Sequence, residues 1–275
     1  NGKYGVTAYE FLYDWRVSPL DTADTLKQYI EDIMYVTGAE EVALYGRCYG
    51  SNVVNAYMKK YDGEHVSEVI HYCSAFYGAT LCSKVFTGEL YLHPDGIGRY
   101  VYDINLGLES YIEDFIKASV TLLNKTYGLD IACWAVNNVY KDIYLDIMPR
   151  VMIEPFATFP GYWSMVSPED YEQAKKVVFH GADPEKYANF ISIIDNYHYN
   201  VATEIDKDFK HYADKGVDIF NVTKYGYQAT PVSDKAYNSS ISDKTVSVTK
   251  ASNGATTTPV GKTFKDKYIN TAKEN

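Results

Sequence analysis

The sequence predicts an α/β fold: a mostly parallel, doubly wound sheet interrupted by a large helical insertion. Three observations carry that reading. Strand-like and helix-like apolar patterns alternate through the first part of the chain, and a Gly-x-Cys-x-Gly turn joins one of those strands to the helix after it. Between Cys82 and Tyr212 the alternation gives way to helical periodicity, and a strand pattern then returns. The implied division is a core over residues 1–81, a helical cap over 82–212 and a second part of the core over 213–275.

Taken in order, Ala8 to Tyr13 reads as a mostly buried strand that runs into Asp14-Trp15-Arg16. Asp21 to Thr37 is predicted as an amphipathic helix, because Leu26, Tyr29, Ile30, Ile33 and Met34 recur at helical spacing and Gly38 stops it. Val42 to Tyr45 is a short apolar strand, followed by the turn Gly46-Arg47-Cys48-Tyr49-Gly50 and a helix from Ser51. Val66 to Ser74 is the next strand, so strand, helix and strand form a parallel unit. In the cap, helices are predicted over Leu108–Tyr127, Ile131–Ile147, Glu169–Phe179 and Pro184–Tyr212, with an aromatic loop at Phe159-Pro160-Gly161-Tyr162-Trp163. Val217 to Thr223 resumes the strand pattern, and a loop leads to Asp243-Lys244-Thr245-Val246.

Composition narrows the function classes. With 275 residues, 46% hydrophobic and 23% charged, the chain has enough apolar material for a substantial core. A net charge of −10 without a basic cluster argues against a nucleic-acid partner. No run of about 18 apolar residues is present to span a bilayer. The 28 tyrosines supply rings that are apolar in body and polar at the tip, suited to lipid-like or sugar-like ligands unless they reflect compositional bias alone. Cys48, Cys73, Cys82 and Cys133 show no metal-ligand spacing, and no metal or cofactor is expected. The chain opens at Asn1 and closes in a polar tail, so both ends read as cuts. Asn124, Asn221 and Asn238 fit the N-glycosylation pattern, which matters in a secretory setting; an extracellular or cell-surface location is favoured over a cytoplasmic one.

The Cys48 turn is where chemistry is expected. A side chain on so sharp a strand-to-helix bend is held clear of the sheet, and the flanking glycines let strand and helix approach. The positive end of the following helix favours a thiolate there. The rival reading is a small hydrophobe between two elements.

Taken together, Tyr13-Asp14-Trp15-Arg16, the Cys48 elbow, the strand end near Ala75-Phe76-Tyr77-Gly78, the Phe159–Trp163 loop and Asp243-Lys244-Thr245-Val246 resemble the lecithin:cholesterol acyltransferase family of α/β-hydrolases in order and spacing. The resemblance runs from about Asn1 to Gly261. It implies an α/β-hydrolase fold and acyl transfer or hydrolysis on a lipid-like acyl ester, with peripheral contact to a membrane or lipid surface. In its terms Cys48 is the nucleophile and Asp243 the acid, with Asp234 a competitor in the same connection. The Tyr49 N–H would be one oxyanion donor, and Trp15, Tyr162 and Trp163 would contact substrate. The departures are Arg47 and Cys48 where the family has His and Ser, and Gly161 where a family loop has a serine after proline. All six histidines precede Asp243, whereas the order in this fold is nucleophile, acid, base. The base is therefore expected outside the chain. The alternative expectation is an inactive α/β-hydrolase that binds a ligand or partner.

Overall fold

The computed structural model describes residues 8–103, 107–151, 156–225, 232–233, 245–254, 258 and 262. Its first helix, α1 (Pro19–Thr37), starts where the Ser18 hydroxyl accepts the Leu20 N–H and Pro19 fills the first turn. It ends at Gly38, whose φ of 71° returns its N–H to the Met34 carbonyl. Periodicity places the start at Asp21; the serine cap and the proline set it earlier. β1 (Val42–Arg47), α2 (Gly50–Tyr61) and β2 (Val66–Tyr72) follow as a strand-helix-strand unit.

Next come α3 (Thr80–Thr87), the two-residue β3 (Tyr91–Leu92), α4 (Pro94–Asp103), α5 (Ser110–Lys125) and α6 (Gly128–Val151). The aromatic loop is a one-turn helix, α7 (Pro160–Trp163), followed by α8 (Tyr171–Val178), α9 (Pro184–Tyr197) and α10 (Ile205–Asp214). The single helix expected over Pro184–Tyr212 is broken by a π-helical turn at His198–Ala202, where the His198 ring stacks 3.6 Å from that of Tyr171. β4 (Asp218–Val222), β5 (Val232–Ser233) and α11 (Val248–Ala251) complete the described elements. The described residues between 82 and 212 are mainly helical, as the periodicity predicts, but the two-residue β3 lies among them and pairs antiparallel with β5, and Cys82 falls inside α3 and not at its start. No described helix is long and apolar enough to cross a membrane.

β1, β2 and β4 form a three-stranded parallel sheet in that order. Leu44 pairs with Val69 and Gly46 with His71 across β1 and β2, and His71 pairs with Asn221 of β4. The face carrying Leu44 and Val69 is buried with Leu26 and Ile30 of α1 and with Val53, Ala56 and Tyr57 of α2. Phe209 of α10 covers His71 on that same face. On the other face Ala43, Tyr45, Arg47 and Phe220 are exposed. Among the described residues the helices therefore wind on one side of the sheet, where a doubly wound arrangement was expected on both.

The segment Ala8–Tyr13 corrects a second expectation, because among the described residues it pairs with no strand. It lies along α1: the Tyr29 hydroxyl donates to the Glu10 carbonyl at 2.9 Å, and the Phe11 ring sits 5.3 Å from that of Tyr29. An apolar pattern signals a segment that can be buried, whereas a strand also needs a ladder partner for its backbone groups.

Candidate functional site

At the end of β1 the backbone turns through Cys48 in the left-handed region, with φ at 48°. That conformation costs a non-glycine residue roughly 1–2 kcal/mol. Contacts on both sides hold it. The Cys48 N–H donates to the Tyr72 carbonyl at 2.9 Å, and the Cys48 carbonyl accepts the N–H groups of Ser51 at 3.1 Å and Ala75 at 3.3 Å. A Cβ on Gly46 would lie 2.8 Å from Ser51 Cα and 2.9 Å from Ser51 N, so only glycine lets β1 and α2 come this close. Ser51 Oγ donates to the Gly46 carbonyl at 3.0 Å and meets Ser74 Oγ at 2.9 Å.

Because Asn52 N–H returns to the Tyr49 carbonyl, the first-turn donors ahead of Ser51, those of Tyr49 and Gly50, are not used within α2. Cys73 makes a useful contrast. It ends β2 with the same φ of 48° and donates to the Val222 carbonyl at 2.8 Å, yet it is buried and no helix starts there. Cys48 is half-buried and stands at a helix N-terminus.

Three segments meet at this turn. The Tyr13 hydroxyl reaches it: a Cβ on Gly50 would lie 3.4 Å from that oxygen, and the Tyr13 and Tyr49 rings are 5.9 Å apart. Burial raises the Tyr13 phenol above its ordinary value, and charge on Cys48 adds to the rise. Tyr13 was not singled out from the sequence; its one signal was its place at the head of Tyr13-Asp14-Trp15-Arg16. The Tyr49 side chain braces the turn by donating to the Val17 carbonyl at 3.3 Å, and its phenol is also pushed up, chiefly by burial.

The α7 turn closes on the same place. Gly161 N–H donates to the Arg16 carbonyl at 3.2 Å, and Asn52 Nδ2 donates to the Ser164 carbonyl at 2.8 Å and to Ser164 Oγ at 3.1 Å. Trp15 is exposed, with Phe159 edge-on to it at 5.8 Å. Its neighbour Asp14 is held down to about 2 by hydrogen bonds from Arg16. Tyr162 packs against the same small cluster as Cys48, with its ring 4.5 Å from that of Phe86. Trp163 turns the other way: it is 2% exposed, donates from Nε1 to the Ala157 carbonyl at 2.9 Å and stacks on Phe179, as a ring of the cap core. Trp15 and Tyr162 thus lie around the elbow, and Trp163 does not.

Asp243 and Asp234 lie outside the described residues. The chain is described again from Thr245, and Val246 is fully buried in the cluster that Cys48, Tyr162 and Met165 pack against. Val246 therefore lies beside the elbow. The histidines with defined ring contacts are engaged elsewhere. His65 is beside Glu64, His93 is beside Tyr91, His198 is stacked on Tyr171 and His211 bonds Asp62 at 2.7 Å.

His71 is enclosed between Phe76 and Phe209, and burial pushes it down to about 3. Neither of its ring nitrogens has a hydrogen-bond partner among the described residues. No group of three His, Cys, Asp or Glu side chains among the described residues is placed to hold a metal ion. No family model, no curated protein and no solved structure matches this chain, and a functional reading rests on the geometry of the turn around Cys48.

Proposed function

We propose that the chain carries the nucleophile-bearing part of an α/β-hydrolase-type enzyme, similar to the lecithin:cholesterol acyltransferase family, that acts on lipid-like acyl esters. The observation that carries the reading is the left-handed Cys48, half-exposed at the junction of β1 and α2. In this mechanism the Cys48 thiolate attacks the ester carbonyl carbon and a C–S bond forms. The carbonyl electron pair moves to oxygen, where the N–H of Tyr49 is one donor. The Tyr13 hydroxyl, which reaches the same turn and is protonated at neutral pH as any phenol is, serves as a second donor. Collapse of the intermediate breaks the C–O bond, the alcohol leaves with a proton from a general acid, and the thioester passes its acyl group to water or to an acceptor alcohol. Asp243 is the proposed carboxylate that orients a histidine base, and that base is assigned to no residue of this chain.

The engaged histidines favour a second reading, a binding module of the same fold without turnover. One experiment separates them. The chain is incubated with p-nitrophenyl esters of short and long fatty acids, and p-nitrophenol release is compared with the mass of the intact protein. The enzyme reading expects one acyl group per chain, on Cys48, absent in Cys48→Ala, with slow turnover because no described histidine stands beside Cys48. Ligand binding with no acyl adduct would sink it in favour of the second.

A further inference from the structure

One surface of the cap takes no part in the site. α5 has no buried residue along its length, although its apolar positions recur as in a packed helix. Tyr111, Phe115, Ala118 and Leu122 follow at steps of four, three and four, the spacing of a seam that meets a second helix. All four are exposed, Tyr111 by 68%, Phe115 by 72% and Leu122 by 63%. The first turns of α6 carry two further exposed apolar side chains, Ile131 at 67% and Trp134 at 65%. α5 packs on α4 and α6, and its half-buried residues Ile116, Val120 and Asn124 lie on the opposite face, so among the described residues this stripe is the unpartnered one. Contiguous apolar surface of this extent marks an interaction site.

The stripe is close to a palindrome about Ala118. Phe115 and Leu122 flank it at near-equal distance, and Tyr111 and Lys125 lie one heptad to either side. Two copies of α5 laid antiparallel across a two-fold axis at Ala118 would set Phe115 against Leu122 and Tyr111 against Lys125, where ring and ammonium attract. The small residue at the axis permits close approach. Charge agrees with the same direction, since Glu109, Glu113 and Asp114 mark the amino end of the helix and Lys125 the carboxyl end. A groove of about 660 Å³ runs beside the seam, lined by Tyr102, Ala118, Thr121 and Leu122 with Asp114 and Lys125 among its polar residues, and it offers a seat for a ring of the other copy.

At the usual ~150–250 Å² per large ring, the rings of Tyr111, Phe115 and Trp134, each about two thirds exposed, present roughly 300–500 Å², to which Leu122, Ile131 and their neighbours add. A standard interface buries ~800 Å² per partner. An anionic lipid surface is disfavoured by the absence of a basic cluster on the patch and by the chain's net charge of −10.

We propose that the chain forms a two-fold dimer through α5, antiparallel about Ala118, flanked by the first turns of α6. Sedimentation velocity on the chain should show a dimer whose fraction rises with concentration. Ala118→Glu and Ala118→Lys each place like charges face to face at the axis and should raise the dimer dissociation constant at least ~10-fold, with circular dichroism unchanged because Ala118 is exposed. Mixing the two variants should restore association, which an axis elsewhere on the surface would not produce. A wild type that stays monomeric at every concentration overturns the proposal, as does a dimer indifferent to Ala118→Glu. A monomer that binds phosphatidylcholine vesicles through this patch overturns it too, and identifies a lipid surface as the occupant.

Discussion

Gly161→Ala tests whether the three segments around Cys48 are locked to one another. A Cβ at this position would lie 2.8 Å from the Tyr49 hydroxyl and 2.9 Å from the Trp15 carbonyl carbon, with the Trp15 oxygen nearer still. Non-bonded heavy atoms rest at about 3.5–4.0 Å, and the Trp15 oxygen, the nearest of the three, sets the displacement, so the Trp15-Arg16 backbone has to retreat by roughly an ångström or more. The Gly161 N–H bond to the Arg16 carbonyl, 3.2 Å long, is lost with that movement. Overpacking of this kind costs about 1–3 kcal/mol and the hydrogen bond contributes about 1 kcal/mol. Lower unfolded-state entropy of alanine returns about 0.4–1 kcal/mol.

The expected net loss is about 2 kcal/mol, a fall in Tm of roughly 4–8 °C for a chain of this size. Gly98→Ala is the control, because in α4 the new methyl meets the flexible Asn124 side chain, 3.1 Å away at Nδ2, and no backbone; it should be neutral or stabilising by up to ~1 kcal/mol. Thermal and urea unfolding of both variants decide the matter. A Gly161→Ala protein that melts with or above the wild type would refute the interlock. Gly161→Ser should behave like the alanine variant, because a serine brings the same Cβ to the Trp15 carbonyl.

His71→Phe removes two buried ring nitrogens that lack partners and should stabilise the fold by about 1–2 kcal/mol at neutral pH. The pH dependence has a definite sign. Folded His71 sits at about 3 against an ordinary 6.5, so the unfolded chain takes the proton first and wild-type stability declines as pH drops below about 6.5. The slope from this residue is up to ~1.4 kcal/mol per pH unit; urea titrations at pH 7 and pH 5 should show a gap between variant and wild type that widens at the lower pH, and a constant gap would contradict the reasoning. Asn52→Ala cuts the two hydrogen bonds that tie α2 to Ser164, with an expected loss of about 1–3 kcal/mol. Hydrogen exchange over residues 160–166 should accelerate with it, and unchanged protection there would show that other contacts hold the turn.

The parts of this protein legible in the sequence were those written in neighbouring residues. The helix stop at Gly38, the alternation of β1, α2 and β2, the glycine-flanked bend at Cys48 and the helical periodicity of the cap all depend on residues a few positions apart, where chain geometry alone imposes the pattern. What the tertiary structure decided involves partners far apart in the chain. Ala8–Tyr13 carries an apolar pattern suited to a strand yet has no ladder among the described residues, and Tyr29 of α1 takes the Glu10 carbonyl instead. Tyr162 and Trp163 are adjacent and chemically alike, but one packs toward the elbow and the other into the cap core, a choice made by Phe86, Phe179 and Ala157. Gly161 is a glycine on account of Trp15, and the Tyr13 hydroxyl reaches Gly50 from a segment that lies along α1. No spacing rule links positions so distant. Burial and close approach are properties of the assembled surfaces, and they exist only once the separate segments have packed.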